Sequence, residues 1–410
     1  MRLFARLFRL VWGDDVDGAL RPVLAVAVVG SVAGSAAWVF VGVWAKTHLG
    51  ASDTQLGLTF LVGALLAGAA GYLGGHLSDH LGRRPLILAG WGGEALTLLG
   101  FLAVGRHTVA GLVFAALAPV FGAIGSGADQ AMVADLVAPD RHERAYAATR
   151  VAHNLGVTIG PPIGGLLLIG NSWPFFFAGT TVLAAAAFAV AWRFIPRRGA
   201  YTPEEPPARG SFSVIARDRP FLLFLGSSVL ASMTYVAYET LLPISLVTSY
   251  GLAPSLWGAL VIVNPILVVL LQLRLIRWTA GVPGALKLGV AMPLMGLPFL
   301  LLPLSAAIPV VIVVVTVFVI GEMLWIPTSQ AAVAAFAPAD IRGAYMGFFG
   351  SSWAVAWALG PFLGLQVRTN WGDTTMWTAV AAISVVAGLA GAAAVRGRPV
   401  GHSDPVPSAA

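Results

Sequence analysis

Four carboxylic acids stand where such groups are rare. Glu94, Asp129, Glu239 and Glu322 each interrupt an apolar run long enough to cross a bilayer. An ionisable side chain at membrane depth is costly and usually faces a cavity or a partner, which makes each a functional candidate. A medium of low dielectric favours the neutral carboxyl, so such a group can take up and release a proton near neutral pH. Two of the four keep aromatic company. Glu239 lies in Tyr235-x-x-Tyr238-Glu239-x-x-x-Pro243, and Glu322 lies in Gly321-Glu322-x-x-x-x-Pro327, with Trp325 and Ser329 following on its helical face. A carboxylate among ring faces attracts a cationic or amphipathic ligand. Trp38 joins this set because the internal-repeat counterpart of Glu239 falls near it. Trp38, Tyr238 and Trp325 are too deep for interfacial anchors, whereas Trp44, Trp173 and Trp371 read as anchors. Glu94 and Asp129 are equally well read as protonated acids bonded within their own half. His153, Asn154 and Asn264-Pro265 either line a cavity or satisfy a neighbouring helix.

Charge and small residues concentrate in two further stretches. In Gly75-x-x-x-Asp79-x-x-Gly82-Arg83-Arg84 an acid, a glycine and two arginines lie in a short turn between two apolar runs. Carboxylates are stabilised at helix N-termini and guanidinium groups clamp carboxylates. A latch is expected there, in addition to a determinant of topology. The second stretch, Gly156-x-x-x-Gly160-Pro161-x-x-Gly164-Gly165, sets small residues at one-turn spacing beside a proline, which suits close helix packing with a bend.

The elements that carry these residues follow from composition. The 410 residues are 58% hydrophobic and 10% charged, against about 25% charged in a soluble domain, and mean hydropathy is +0.85. Twelve apolar spans are predicted, at about 22–45, 54–77, 85–105, 108–137, 145–170, 174–195, 220–249, 255–276, 283–304, 308–337, 343–367 and 374–395. Glu94, Glu239 and Glu322 then fall in the middle third of the third, seventh and tenth spans, and Asp129 in the inner third of the fourth. Twelve spans leave little chain for a soluble catalytic domain. The lack of cysteine excludes a disulfide framework, thiol ligands and a Cys nucleophile.

A net charge of +6 would suggest nucleic acid in a soluble protein; here it reports orientation. With both termini cytoplasmic, every Lys and Arg of the 24 falls on or near the inner side except Lys46, Arg106 and Arg368. Residues 1–12 place Arg2, Arg6 and Arg9 among Leu, Phe and Trp, as in a short amphipathic segment on anionic lipid. The first span is too long for a cleaved signal peptide. Residues 196–219, rich in Pro, Gly and charge, form a cytoplasmic linker between six-helix halves at 1–195 and 220–395; 396–410 is a disordered tail.

An internal repeat supports the division. Gln130-Ala-Met-Val-Ala-Asp-Leu-Val-Ala-Pro-Asp140 returns as Gln330-Ala-Ala-Val-Ala-Ala-Phe-Ala-Pro-Ala-Asp340, and Gly160-Pro161-x-x-Gly164 as Gly360-Pro361-x-x-Gly364. Parallel repeats with a site at their midplane are a transporter arrangement.

The Gly75-to-Arg84 spacing closely resembles the loop between the second and third helices of the major facilitator superfamily, with His80 where that family more often has Arg or Lys. The fifth-span pattern is similar to the motif of the superfamily's antiporters. The tenth span and the run Ala337-Pro-Ala-Asp-Ile-Arg-Gly343-Ala-Tyr-Met-Gly347 resemble a bacterial multidrug subgroup. The resemblance covers nearly the whole chain and implies an all-α integral membrane fold of twelve helices in two pseudo-symmetric halves. It pairs Arg83 with Asp135 and sets Asp79 against residues 342–344. The family's fourth-helix arginine has no counterpart, since Phe121 stands four residues before Gly125-Ser-Gly127, and no coupling role is carried over from it.

The chain is thus expected to be a cell-membrane transporter resembling drug:proton antiporters, exporting lipophilic or cationic small molecules by alternating access. It is expected to act as a monomer with a small-molecule substrate, protons and the bilayer as partners, and with no nucleic acid, cofactor or metal. A same-fold transporter of one metabolite and a lipid-handling protein without proton coupling are the alternatives. An enzyme is not expected: the sequence has no metal-ligand cluster, nucleotide-binding loop or Ser-His-Asp constellation.

Overall fold

The computed structural model of the chain describes residues 18–137, 142–170, 172–197, 211–338 and 341–396. The amphipathic start, most of the linker and the tail lie outside these residues. The long helices are α1 (Arg21–Thr47), α2 (Asp53–Leu81), α3 (Arg83–Val104), α4 (Thr108–Leu136), α5 (His142–Leu167), α6 (Trp173–Phe194) and α7 (Arg219–Thr248). There follow α8 in two pieces (Pro254–Leu260 and Val263–Trp278), α9 (Gly284–Gly296) and α10 (Ile308–Phe336). The helix Arg342–Ala394 completes the set. Gly372, at φ 82° and ψ 173°, divides it into α11 (342–371) and α12 (373–394). Such a backbone suits glycine alone, so the corner is made there without a loop.

Ten of these helices, among the described residues, are long and apolar enough to cross a membrane. The expected twelve is reached when the segment Tyr345–Ala394 is taken as two arms and the more polar α5 is added. Large apolar side chains face outward as readily as inward; Leu65, Leu96, Val182 and Leu389 are each more than 60% exposed. A soluble monomer rarely exposes so much apolar surface, but lipid solvates it. Hydroxyls inside the spans fold back on the carbonyl one turn earlier, as Thr97 does to Gly93 at 2.8 Å and Thr240 to Val236 at 2.7 Å. At the helix starts, Ser172 accepts from the Phe175 amide and Asp218 from the Phe221 amide.

The chain forms two compact units. The first contains Met1–Ala51, Val62–Glu205 and Ala253–Ala259; the second contains Ser52–Leu61, Pro206–Leu252 and Leu260–Ala410. Within the first, α1 packs on α5 and α6, and α3 packs on α4 and α6. Within the second, α7 lies along the α11–α12 segment, and α9 packs on that segment and on α10.

Four local expectations are corrected. The helix α2 continues to Leu81, so Gly75 and Asp79 belong to it and only Gly82, at φ 88°, makes the turn into α3. The eighth span is not continuous. The Pro265 ring conflicts with the Val261 carbonyl four residues earlier, and the helix breaks at Val261 and Ile262, with the Asn264 amide reaching Val261 O at 3.3 Å. Trp44 and Trp173, expected as interfacial anchors, are buried, and Trp44 packs edge-on against Phe101 and Phe177. Trp371 is exposed, as an anchor should be.

Candidate functional site

In the second unit, α7, α8 and α10 bring Glu239, Asn264 and Glu322 together. Glu322 is only 8% exposed, and the Asn264 amide Nδ2 donates to its Oε2 at 2.7 Å. Tyr235, one turn earlier on α7, lies near Glu239. Glu239 and Glu322 lie near one another, and a charged carboxylate in an apolar span is costly unless a proton or a cation accompanies it.

Aromatic rings on α7, α10 and α11 pack against one another beside the pair. Tyr238 stacks on Phe318 with centroids 4.2 Å apart, Tyr235 meets Trp353 edge-on at 5.0 Å, and Trp325 lies 5.6 Å from Trp353. The Trp325 indole N–H and the Ser329 hydroxyl, on the Glu322 face of α10, are buried without a protein partner. Buried donors are normally satisfied, so both are available to a ligand or water.

The other predicted acids belong to the first unit. Glu94 on α3 lies against α1, where a Cβ on Gly34 would stand 3.3 Å from its Oε1. Asp129 on α4 and Trp38 on α1 are half-buried. His153 on α5 bonds Ser31 on α1 through Nδ1 at 2.7 Å.

Of the charged turn, the side chains of Gly75, Asp79 and residues 342–344 lie outside the described residues. Arg83 meets Asp135 through Nε at 3.1 Å and Ser78 through Nη1 at 2.7 Å. Arg84 turns instead to α6, with Nη2 2.5 Å from the Trp192 carbonyl and its guanidinium over the indole ring. On α5, Gly156, Gly160 and Gly164 face α1. A Cβ on Gly160 would lie 2.7 Å from Val32 O, against backbone that cannot yield. Pro161 and Gly165 face the first piece of α8, where a Cβ on Gly258 would lie 2.8 Å from the Pro161 carbonyl.

A second polar cluster in the second unit centres on Arg368. Its Nε donates to Asp373 at 2.8 Å, Nη1 to Asp53 at 3.1 Å, and Nη2 to the Thr248 and Ser249 hydroxyls at 2.6 and 2.8 Å. Nearby, burial and then Asp373 push the Tyr250 hydroxyl up to about 12, so it stays neutral and adds no charge.

The profile of the Major Facilitator Superfamily matches residues 23–361. The chain belongs to the major facilitator superfamily. It is therefore a multi-pass membrane transporter and not an enzyme. This facilitator is 26% identical over 318 residues to the multidrug resistance protein MdtH of Edwardsiella ictaluri, with 76% of this chain and 77% of that one covered. It is 24% identical over 328 residues to a Na(+), Li(+), K(+)/H(+) antiporter of Planococcus maritimus, covering 70% and 76% of the two. Its fold matches the nucleoside transporter NupG with a TM-score of 0.75 at 14% identity, over 92% of this chain and 100% of that one.

Three members of the facilitator's polar clusters have no distinctive sequence signal. Trp353 and Phe318 are aromatic residues in apolar runs, indistinguishable locally from packing. Asp53 sits beside a span end, where a charge is ordinary. Arg368 alone carries a hint, as one of the three cations that the expected orientation leaves on the outer side.

Proposed function

We propose that this facilitator is a proton-coupled exporter of lipophilic, cationic small molecules, working by alternating access with both termini cytoplasmic. The observation that carries this reading is the Glu322–Asn264–Glu239 cluster with the packed rings of Tyr235 and Tyr238 beside it. A charged carboxylate at membrane depth is costly when alone, so the cluster takes up either a proton or a cation, and competition for one site is sufficient for exchange. The rings of Tyr235, Tyr238 and Trp325 favour a cation with apolar surface over a small hydrated ion. That MdtH is a multidrug resistance protein is in line with this reading.

The test uses purified protein in liposomes, a panel of lipophilic cations and neutral analogues, and an imposed pH gradient. Parental protein is expected to move the cations only when the gradient is present. An amide mimics the protonated acid without allowing exchange, so Glu322→Gln should lose gradient-driven transport yet retain substrate binding. Glu239→Gln should lose affinity for cations and continue to move neutral compounds. Full gradient-driven transport by both variants would move the proton site to Asp129 or Glu94, or end the claim of proton coupling. Gradient-driven movement of Na(+) or K(+), with no organic cation carried, would assign the site to inorganic ions instead.

A further inference from the structure

The break in α8 coincides with a change of unit. Its first piece, through Ala259, belongs with the first unit, and from Leu260 onward the chain belongs with the second. On the near side of the break the helix is seated by glycine. A Cβ on Gly258 would lie 2.7 Å from the Gly165 Cα, and a Cβ on Gly165 would lie 3.0 Å from the Ser255 carbonyl. On the far side the helix is held by Asn264, through its 2.7 Å bond to Glu322. Between the two anchors the backbone is weakly tied: the Asn264 and Ile266 amides reach their carbonyls at 3.3 and 3.2 Å, and Pro265 has no amide hydrogen to give.

We infer that Asn264 is a positioning residue that transmits the protonation of Glu322 to α8, loosening or tightening the seat of Gly258 on Pro161 and Gly165. An amide donating to a carboxylate makes a charge-assisted bond, about twice as strong as the same bond to a neutral carboxyl. Arrival of a proton therefore weakens the tie on one side of a helix already broken by Pro265. Discontinuous helices that present polar groups at membrane depth are how transporters couple an ion to a movement. The groups that act on Glu322 are few. Glu239 faces it from α7, where Tyr235 and Tyr238 feel both carboxylates, and Asn264 faces it from α8. Among the described residues, α9 and the α11–α12 segment, also packed on α10, add no charge that acts on it.

This role rests on the proton function proposed for Glu322, so the test separates the two. The chain has no cysteine, and Ser255→Cys supplies a single label site beside the Gly165 seat. Its rate of reaction with a membrane-impermeant maleimide in liposomes, divided at each pH by that of a free thiol so that thiolate formation cancels, is measured across pH, with gradient-driven transport recorded in parallel. In the parental background the labelling rate should change by about tenfold between the charged and protonated states, the equivalent of one charge-assisted bond. Asn264→Ala, and the near-isosteric Asn264→Leu should Ala fail to fold, should flatten that response at the low-pH rate. Glu322→Gln should do the same, and the double variant should go no further than either. A parental pH response in a folded Asn264 variant, with transport by Glu322→Gln abolished, would overturn the role of Asn264 alone. Gradient-driven transport by Glu322→Gln would overturn the proton function itself. A parental rate that is flat with pH would overturn the lever.

Discussion

Arg368 engages every nitrogen of its guanidinium, and its partners come from three separate stretches of chain: Asp53, Thr248 and Ser249, and Asp373. The side chains of the charged trio are 11–16% exposed, so solvent screens them weakly. Lysine offers three donors on one atom and cannot reproduce such a fork. Arg368→Ala removes the cation that Asp53 and Asp373 share and is expected to destabilise the protein by about 3 kcal/mol, with Arg368→Lys recovering less than half of that. Thermal unfolding of the two variants in detergent checks the ranking. A lysine variant as stable as the parent would mean that charge alone matters at this point. The residues that sequence makes legible are those that violate their surroundings. Glu239 and Glu322 stand out because a carboxylate in an apolar run has few structural excuses. Trp353 and Phe318 do not stand out, because an aromatic ring in such a run packs as readily as it binds.

Helices one and five show what a sequence pattern can and cannot specify at the scale of an element. The spacing of Gly156, Gly160 and Gly164 predicts a close-packed face, and the structure supplies its partner, α1, with Val32 O and Ala36 N 2.7 and 2.9 Å from where a Gly160 Cβ would stand. Gly68, on α2, has nothing within 4 Å of the same position. Gly160→Ala should therefore cost about 1–3 kcal/mol by overpacking, whereas Gly68→Ala should gain about 0.5 kcal/mol from reduced chain entropy. Opposite shifts in the unfolding temperature are the expected result, and equal shifts would remove the packing explanation. Span positions were legible because about 20 apolar residues are needed to cross a bilayer. Ends and breaks were not. The extension of α2 to Leu81 puts polar residues into a helix that hydropathy ends sooner, and the interruption of α8 depends on how Pro265 meets the Val261 carbonyl. The Gly372 corner leaves no loop residues by which α11 and α12 could be told apart by composition.

For the molecule as a whole, the repeat is legible as sequence but its two copies are fastened differently. Where the first copy has Asp135 paired with Arg83, the second has Ala335, and Tyr345 instead donates to Asp218 at 3.0 Å. The exchange of short segments between the two units is not legible, because it cuts across helices that hydropathy treats as single objects. Ser52–Leu61, from the N-terminal part of the chain, lies in the second unit, and Ala253–Ala259, from the C-terminal part, lies in the first. Each unit is thus host to a guest segment encoded in the other half of the gene. A chain cut between Glu205 and Pro206 would give two fragments, neither holding all the residues of the unit it mostly builds. Made separately, each should be short-lived; made together, they should be recovered as a pair by a tag on one of them. Two fragments that are each stable and monodisperse alone would make the guest segments dispensable. If the pair is obligatory, this fold resists evolution by shuffling of half-genes, since a foreign half would arrive with a guest that its host does not fit.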